Sequence, residues 1–235
     1  MTAALEPKFI IETSERLQKR IAERFPGSGL LKVSAAVTKA AHEADQKSSD
    51  IAKAHLPLRT AVWVLAAALL AGVAFVFLRV SAAPGFSSAA DLLQGVDAAA
   101  NIVLLLGAGI LSIAKLEENQ RRKKGLAMVH DLKALAHVID MHQLTKDPES
   151  ISSESARTQS SPKRTMTQFE LGRYLDYSSE LLSMIGKIAA IYGRRLQDPV
   201  VLEAIDGAED LATGLARKIW QKIAILGDRT GPRGA

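Results

Sequence analysis

Residues 61–78 read AVWVLAAALLAGVAFVFL, and residues 98–114 read AAANIVLLLGAGILSIA. The first stretch contains 18 residues without a charged side chain. A helix of that length extends about 27 Å, close to the thickness of the hydrocarbon core of a bilayer. In the second stretch, Asn101 and Ser112 are the only polar side chains. A buried hairpin in a soluble helical protein is the alternative, but two such stretches exceed what a small core needs. The sequence therefore predicts two transmembrane helices.

The charges beside these stretches predict how the hairpin is oriented. Residues 1–59 hold 10 Lys or Arg against 7 Asp or Glu, and residues 115–146 hold 7 against 4. The connector at 79–97 holds 1 against 2. Lys and Arg accumulate on the cytoplasmic side of membrane spans. We therefore expect a multi-pass protein of the bacterial inner (cytoplasmic) membrane with both termini in the cytoplasm.

The composition excludes several other classes of protein. The chain of 235 residues has no cysteine, which rules out disulfides, thiolate metal sites and a thiol nucleophile. Aromatic residues make up only 5%, and the apolar excess consists mainly of Ala, Leu, Ile and Val, which favours helices. The net charge of +5 is concentrated beside the spans. No basic stripe remains for nucleic acid, so no nucleic-acid partner is expected.

The segments outside the spans are predicted to be amphipathic helices. Residues 8–25 and 29–54 carry apolar stripes, the second at a near-heptad spacing that is typical of a coiled coil. Thr167 and Glu170 form a capping-box pattern, and Asp198 before a proline is typical of a helix start. The last helix is predicted to place on one face Val201, Ala204, Ala208, Leu211, Leu215 and Ile219.

The predicted architecture is an all-α membrane protein, a two-helix transmembrane hairpin with a cytoplasmic helical bundle. Its segments are N-terminal cytoplasmic amphipathic helices (1–59), transmembrane helix 1 (60–79), an extracytoplasmic connector (80–97), transmembrane helix 2 (98–116), a cytoplasmic helix extension (117–145), a Ser-rich linker (146–166), a C-terminal helical pair (167–226) and a tail (227–235).

Residues 129–142, VHDLKALAHVIDMH, concentrate side chains that bind metals or protons. On a helix, His130, His137 and Asp140 share one face, roughly opposite the main apolar stripe. His137 with Asp140 is the better pair of metal ligands, and it would need further ligands from another helix or subunit. A structural contact with another helix or subunit, a pH-responsive contact and a metal site all stay open. No cofactor and no catalytic residue is predicted.

Two further groups of residues are predicted to make contacts in or beside the membrane. Gly72, Gly107 and Gly109 allow close packing between the spans or between subunits. Asn101 can hydrogen-bond to a neighbouring helix. A basic run follows the second span and is either a topology signal alone or a contact with anionic lipid head groups. It consists of Arg121, Arg122, Lys123 and Lys124.

Four stretches resemble an uncharacterised family of bacterial two-transmembrane-helix proteins. They are AHVIDMHQLTKDPE (136–149), ELGRYLDYSSELLSMIGK (170–187), DPVVLEAI (198–205) and TGLARKIWQKI (213–223). The resemblance implies the two-span topology but no activity. More loosely, a hairpin attached to cytoplasmic helices is similar in topology to the SLATT-type two-helix membrane effectors of bacterial conflict systems, which implies a pore.

The leading hypothesis is a non-enzymatic inner-membrane protein whose cytoplasmic helical region mediates self-association or partner binding. Its expected partners are the lipid bilayer, further copies of the chain, and possible cytoplasmic proteins. The alternative is an oligomeric channel or membrane-disrupting effector, suggested by the compact hairpin and by Asn101. A membrane-anchored metal-dependent hydrolase is a third hypothesis, which depends on His137 and Asp140.

Overall fold

The computed structural model of the chain describes residues 6–52, 56–81, 89–146 and 166–228. These residues form six α-helices and no β-strand, which confirms the all-α prediction. The helices are α1 (Pro7–Arg24), α2 (Gly29–Ala52), α3 (Leu56–Ser81), α4 (Ala89–Leu144), α5 (Gln168–Arg195) and α6 (Pro199–Asp228). The predicted Ser-rich linker and tail fall mainly outside the described residues, as does the middle of the connector.

The chain divides into two compact units. One unit, called the apolar unit below, is Lys53–Arg121. The other, called the bundle, combines Met1–Ala52 with Arg122–Ala235. In the described part of the chain, one helix is long and apolar enough to cross a membrane, over Leu93–Leu144. The apolar helix at Val62–Phe75 is shorter, so the second span stays a prediction.

In the bundle, α1 and α2 pack against each other across a short turn. Gly27 in this turn has a φ of 71°, which lies in the left-handed region that favours glycine. The predicted apolar stripe of α1 is buried at Ile10, Leu17 and Ile21. Because these side chains recur every three to four or seven residues, they all face the neighbouring helices.

The centre of the bundle is α5, which packs against α1, α2 and α6. Its predicted capping box is present: the Thr167 hydroxyl accepts a hydrogen bond from the Glu170 N–H (3.2 Å), and the Glu170 carboxylate accepts one from the Thr167 N–H (2.7 Å). Both bonds satisfy backbone groups that the first helical turn leaves open. The helix is buried on several sides, as its broad apolar face predicts.

The start of α6 also follows its local sequence. One carboxylate oxygen of Asp198 accepts hydrogen bonds from the backbone N–H groups of Val200 (3.0 Å) and Val201 (3.1 Å), which confirms the predicted N-cap. The buried face differs from the prediction, because Ile205 and Ala212 are buried whereas the predicted Ala204 and Leu211 are only partly so. The buried side chains of α6 are Val201, Ile205, Ala208, Ala212, Leu215, Ile219 and Leu226.

The last part of α4, from Arg122 on, belongs to the bundle. A Cβ added at Gly125 would lie 3.0 Å from a Val201 methyl group, so α4 and α6 approach closely there. A Cβ at Gly29 would overlap the ring of His142, so the start of α2 also packs against α4. Because α6 is packed on both α4 and α5, its buried arc is wider than a single stripe, which explains the difference from the predicted face.

Candidate functional site

The apolar unit exposes large apolar side chains in many directions. Val103, Leu104 and Leu105 of α4 are 60%, 70% and 74% exposed. Successive residues of a helix point about 100° apart, so these three side chains cover more than one face. On α3, Trp63 and Val64 are exposed in the same way. A single neighbouring helix cannot cover such a surface.

Within the apolar unit, α3 and α4 line a common groove of about 350 Å³. Its walls are almost entirely aliphatic and include Leu65 and Leu69 of α3 with Ile102, Leu106 and Ile110 of α4. These α4 residues recur at intervals of four, so one face of α4 meets α3 and the other faces remain open. The groove therefore identifies the surface that the two helices share.

The glycines predicted as packing positions have open space beside them in the part of the apolar unit that the structure describes. A Cβ added at Gly72, Gly107 or Gly109 would meet no described side chain within 4 Å. Asn101 is exposed on the surface of α4. In the apolar unit, these four residues are thus available for contacts with another molecule.

The predicted His/Asp face of α4 lies on the outside of the bundle. His130 and His137 are exposed, whereas the apolar stripe opposite them is buried. Asp140 accepts a hydrogen bond from the Gln143 amide (2.6 Å), and Gln143 in turn accepts one from the Lys222 ammonium (2.6 Å). Among the described residues, no group of three His, Cys, Asp or Glu side chains is arranged to hold a metal ion.

The chain from Asp140 through Gln143 to Lys222 joins the end of α4 to α6. Gln143 is buried, and its side chain both donates and accepts a hydrogen bond. A buried amide is stabilising only when its polar atoms are paired. This contact therefore fixes how α4 and α6 align, and the sequence carries no signal for it because the partners are 79 residues apart.

The basic run splits into two paired and two exposed side chains. Arg121 forms an ion pair with Glu117 (2.7 Å), and Arg122 forms one with Asp198 (2.9 Å). By contrast, Lys123 and Lys124 are exposed. The arginines thus have structural partners inside their own units, and the lysines are free to meet solvent or a ligand.

Asp198 is held in its ionised form by several partners. Partial burial alone would raise the pKa of its carboxyl group. The hydrogen bond from Arg122 and those from the N–H groups of Val201 and Val200 outweigh burial, so the pKa of Asp198 lies below its ordinary value. The same carboxylate therefore caps α6 and binds α4.

A cluster of arginines surrounds one buried tyrosine where α1 meets α5. The guanidinium groups of Arg20 and Arg173 each lie 4.9 Å from the centre of the Tyr177 ring. Arg20 also donates to both carboxylate oxygens of Glu180, at 2.9 and 3.4 Å. Burial alone raises the pKa of Tyr177, but the hydrogen bond and charge of Arg173, helped by the α1 arginines, lower it below the ordinary value. This cluster joins α1 to α5.

A groove of about 560 Å³ runs between α5 and α6. Its lining combines small residues and Trp220 with three carboxylates, those of Asp176, Glu180 and Glu209, and one ammonium group, that of Lys187. Burial raises the pKa of Glu209, and the nearby carboxylates of Asp206 and Asp210 add to this effect. A groove with this charge is unfavourable for anionic ligands.

Comparisons of the chain with protein-family models, with curated protein sequences and with solved structures returned no match. Function must therefore be argued from the surfaces described above.

Proposed function

We propose that this chain is a non-enzymatic inner-membrane protein that self-associates within the bilayer and presents a helical bundle in the cytoplasm. In this proposal, residues 61–78 and 98–114 cross the membrane as a hairpin, and both termini are cytoplasmic. The bundle is the part that is available to cytoplasmic partners.

The observation that carries the proposal is the exposed apolar surface of α3 and α4. Fully burying one large apolar side chain stabilises a protein by about 1.5–3 kcal/mol. More than ten such side chains are exposed on α3 and α4, and moving ten of them from water into lipid would be favourable by roughly 15–30 kcal/mol. A bilayer covers every face of a helix at once, which a neighbouring helix does not.

Self-association is supported by the residues that the apolar unit leaves without neighbours. Gly72, Gly107 and Gly109 permit close approach of another helix, and no described atom of the chain lies within 4 Å of a Cβ added there. Asn101 is exposed in an apolar helix, where a polar amide facing lipid is unfavourable. A second copy of the chain would supply both a close-packed helix and a hydrogen-bond partner for this amide.

The topology is tested with single-cysteine variants, because the natural chain has no cysteine. The variants are Ser88→Cys in the predicted connector (80–97), Thr13→Cys on α1 and Gln221→Cys on α6. A membrane-impermeant maleimide is expected to label position 88 in intact spheroplasts, and positions 13 and 221 only after lysis. Equal labelling of positions 13 and 88 before lysis, or release of the chain from membranes by alkaline carbonate, would contradict the proposal.

Self-association is tested by measuring the mass of the assembly in lipid nanodiscs. The triple variant Gly72→Leu, Gly107→Leu, Gly109→Leu is expected to shift the protein towards the monomer. A Cβ added at these positions meets no described atom within 4 Å, so a loss of assembly at unchanged helix content reports on contacts between copies. Gly95→Leu is the matched control, because Gly95 has the same open surroundings outside the predicted span. A monomeric natural protein would refute self-association, and equal effects of both variants would refute the contact at the three glycines.

The alternative of an oligomeric channel is favoured by one observation, the exposure of Asn101 within an apolar stretch. If several copies direct this amide inwards, they form a polar constriction. Conductance of the natural protein in planar bilayers that is altered by Asn101→Leu would support a channel. Absence of conductance from an assembly that is oligomeric in nanodiscs would support the scaffold function instead.

A further inference from the structure

A second groove, of about 490 Å³, lies on the bundle between α4 and α6. Its polar lining consists of Lys123, His130, Asp131 and Lys133 of α4. Aliphatic side chains, including Leu126 and Val129 of α4 and Ala204 of α6, complete it. Sites for small molecules commonly have about 300–1,000 Å³ and combine an apolar lining with a few converging polar groups. This groove has the size and the composition of such a site.

The basic side chains of this groove form no ion pair among the described residues. In the described part of the chain, Lys123, His130 and Lys133 take part in no hydrogen bond or ion pair. Arg121 and Arg122, which come directly before Lys123, each bind a carboxylate. Lys123 therefore differs from the two arginines before it: with Lys133 it lines an open groove, which also contains the carboxylate of Asp131.

The position of Lys133 is set by the close approach of α6. Its ammonium nitrogen lies 3.1 Å from the place that a Cβ at Gly207 would occupy. Glycine at this position leaves room for the ammonium group beside the α6 backbone. Lys133 is thus held at one side of the groove, while Lys123 lies ten residues earlier on the same helix, about 15 Å along its axis.

We propose that this groove binds a phosphate group, carried either by a soluble phosphate ester or by an anionic lipid head group. Lysine binds phosphate as a compact positive charge with three N–H donors, and a histidine ring nitrogen adds a further donor. Asp131 is the carboxylate among the lining residues, and it leaves the groove with a positive balance. The aliphatic lining favours a phosphate that bears an apolar or ring-shaped group.

The proposal is tested by binding of inorganic phosphate and of phenyl phosphate to the full chain in detergent, followed by ³¹P NMR. The double variant Lys123→Gln, Lys133→Gln is expected to bind at least about tenfold more weakly, because it removes both lysines of the groove. One lysine donates a charge-assisted hydrogen bond to the phosphate, and the other, about 15 Å away along α4, adds electrostatic attraction. Lys124→Gln is the matched control, because Lys124 is exposed beside Lys123 but does not line the groove. Circular dichroism verifies that both variants fold.

A second arm identifies the source of the phosphate group. The same three proteins are placed in nanodiscs of phosphatidylcholine alone or with phosphatidylglycerol, and exchange of the backbone amides of α4 with deuterium is compared. Protection around Lys123 and Lys133 by phosphatidylglycerol, lost in the double variant only, supports a lipid head group. Binding of phenyl phosphate in detergent, lost in the double variant only, supports a soluble ester.

Absence of both effects, or equal weakening in the Lys124→Gln control, would overturn the proposal. The nanodisc experiment rests on the proposed membrane insertion, whereas the binding experiment in detergent does not. Failure of the topology test together with specific binding of phenyl phosphate would therefore refute the proposed function and leave the groove as a phosphate site.

Discussion

Replacing Asp198 by alanine is expected to loosen both the start of α6 and its attachment to α4. One carboxylate oxygen accepts the N–H groups of Val200 and Val201, and the other accepts the Arg122 guanidinium at 2.9 Å. The two side chains of the ion pair are 17% and 32% exposed, so water screens the pair only in part. A single substitution thus removes an N-cap and a partly buried ion pair.

The magnitude follows from these two contributions. Loss of an N-cap costs about 1 kcal/mol, and loss of a hydrogen bond to a charged group costs about 1.5–3 kcal/mol when the partner is buried. Arg122 has other interactions as well, which favours the lower value. We therefore expect Asp198→Ala to lower the free energy of unfolding of the bundle by about 2–3 kcal/mol. Asp198→Asn keeps a capping oxygen and is expected to lose about half of that.

The assay is deuterium exchange at the amides of Val200 to Leu202, together with urea unfolding followed by circular dichroism, on the full chain in detergent. The effect depends on pH, because a carboxyl group with a lowered pKa stabilises the fold above its ordinary pKa of 3.8. As the pH falls through the lowered value, that contribution is lost, and the natural protein and Asp198→Ala should converge. If Asp198→Ala and Asp198→Asn destabilise the bundle equally, the free energy is not shared between the N-cap and the ion pair as we expect, and the reasoning is refuted.

Three further predictions concern the bundle. Gly125→Ala is expected to lower the free energy of unfolding of the bundle in urea by about 1–3 kcal/mol, because the new methyl group meets buried Val201 at 3.0 Å. Gly172→Ala on α5, where the surroundings are open, is the control and should raise the same free energy by up to about 1 kcal/mol. Burial raises the pKa of Tyr192 to about 12, so the fold should lose up to about 2–3 kcal/mol as the pH rises from 10 to 12, and Tyr192→Phe should abolish this loss. Thr167→Ala should speed deuterium exchange in the first turn of α5, whereas unchanged exchange would show that its capping box does not hold that turn.

The sequence predicted those features that depend on residues close together in the chain. Periodic apolar positions identified the amphipathic helices, and the capping residues Thr167 and Asp198 marked two helix starts. The helix of α4 also continues to Leu144, although Gly125 lies within it. Such signals act within one or two turns, where the backbone and its nearest side chains decide the local structure.

Contacts between distant segments of the chain could not be predicted from such local patterns. Arg20 pairs with Glu180 across 160 residues, and the pairing of Arg122 with Asp198 joins residues 76 apart. A single sequence contains many basic and acidic residues at such separations, and their charges alone do not select a partner. Consequently the basic run could be located from the sequence, and Glu117 lies one turn before Arg121, but the pairing of Arg122 required the packing of α4 on α6.

The surroundings of the glycines connect the fold with the proposed assembly. In the bundle, the space beside Gly125 and Gly207 is taken by side chains of the same chain, from α6 and α4. Open space lies beside each described glycine of the apolar unit, and also beside Gly172, Gly186, Gly214 and Gly227 of the bundle. A glycine in a helix costs about 1 kcal/mol relative to alanine unless close packing makes use of it. Under the proposed self-association, a partner helix would use the open space beside Gly72, Gly107 and Gly109, and the Gly→Leu variants should then lose assembly without losing helix.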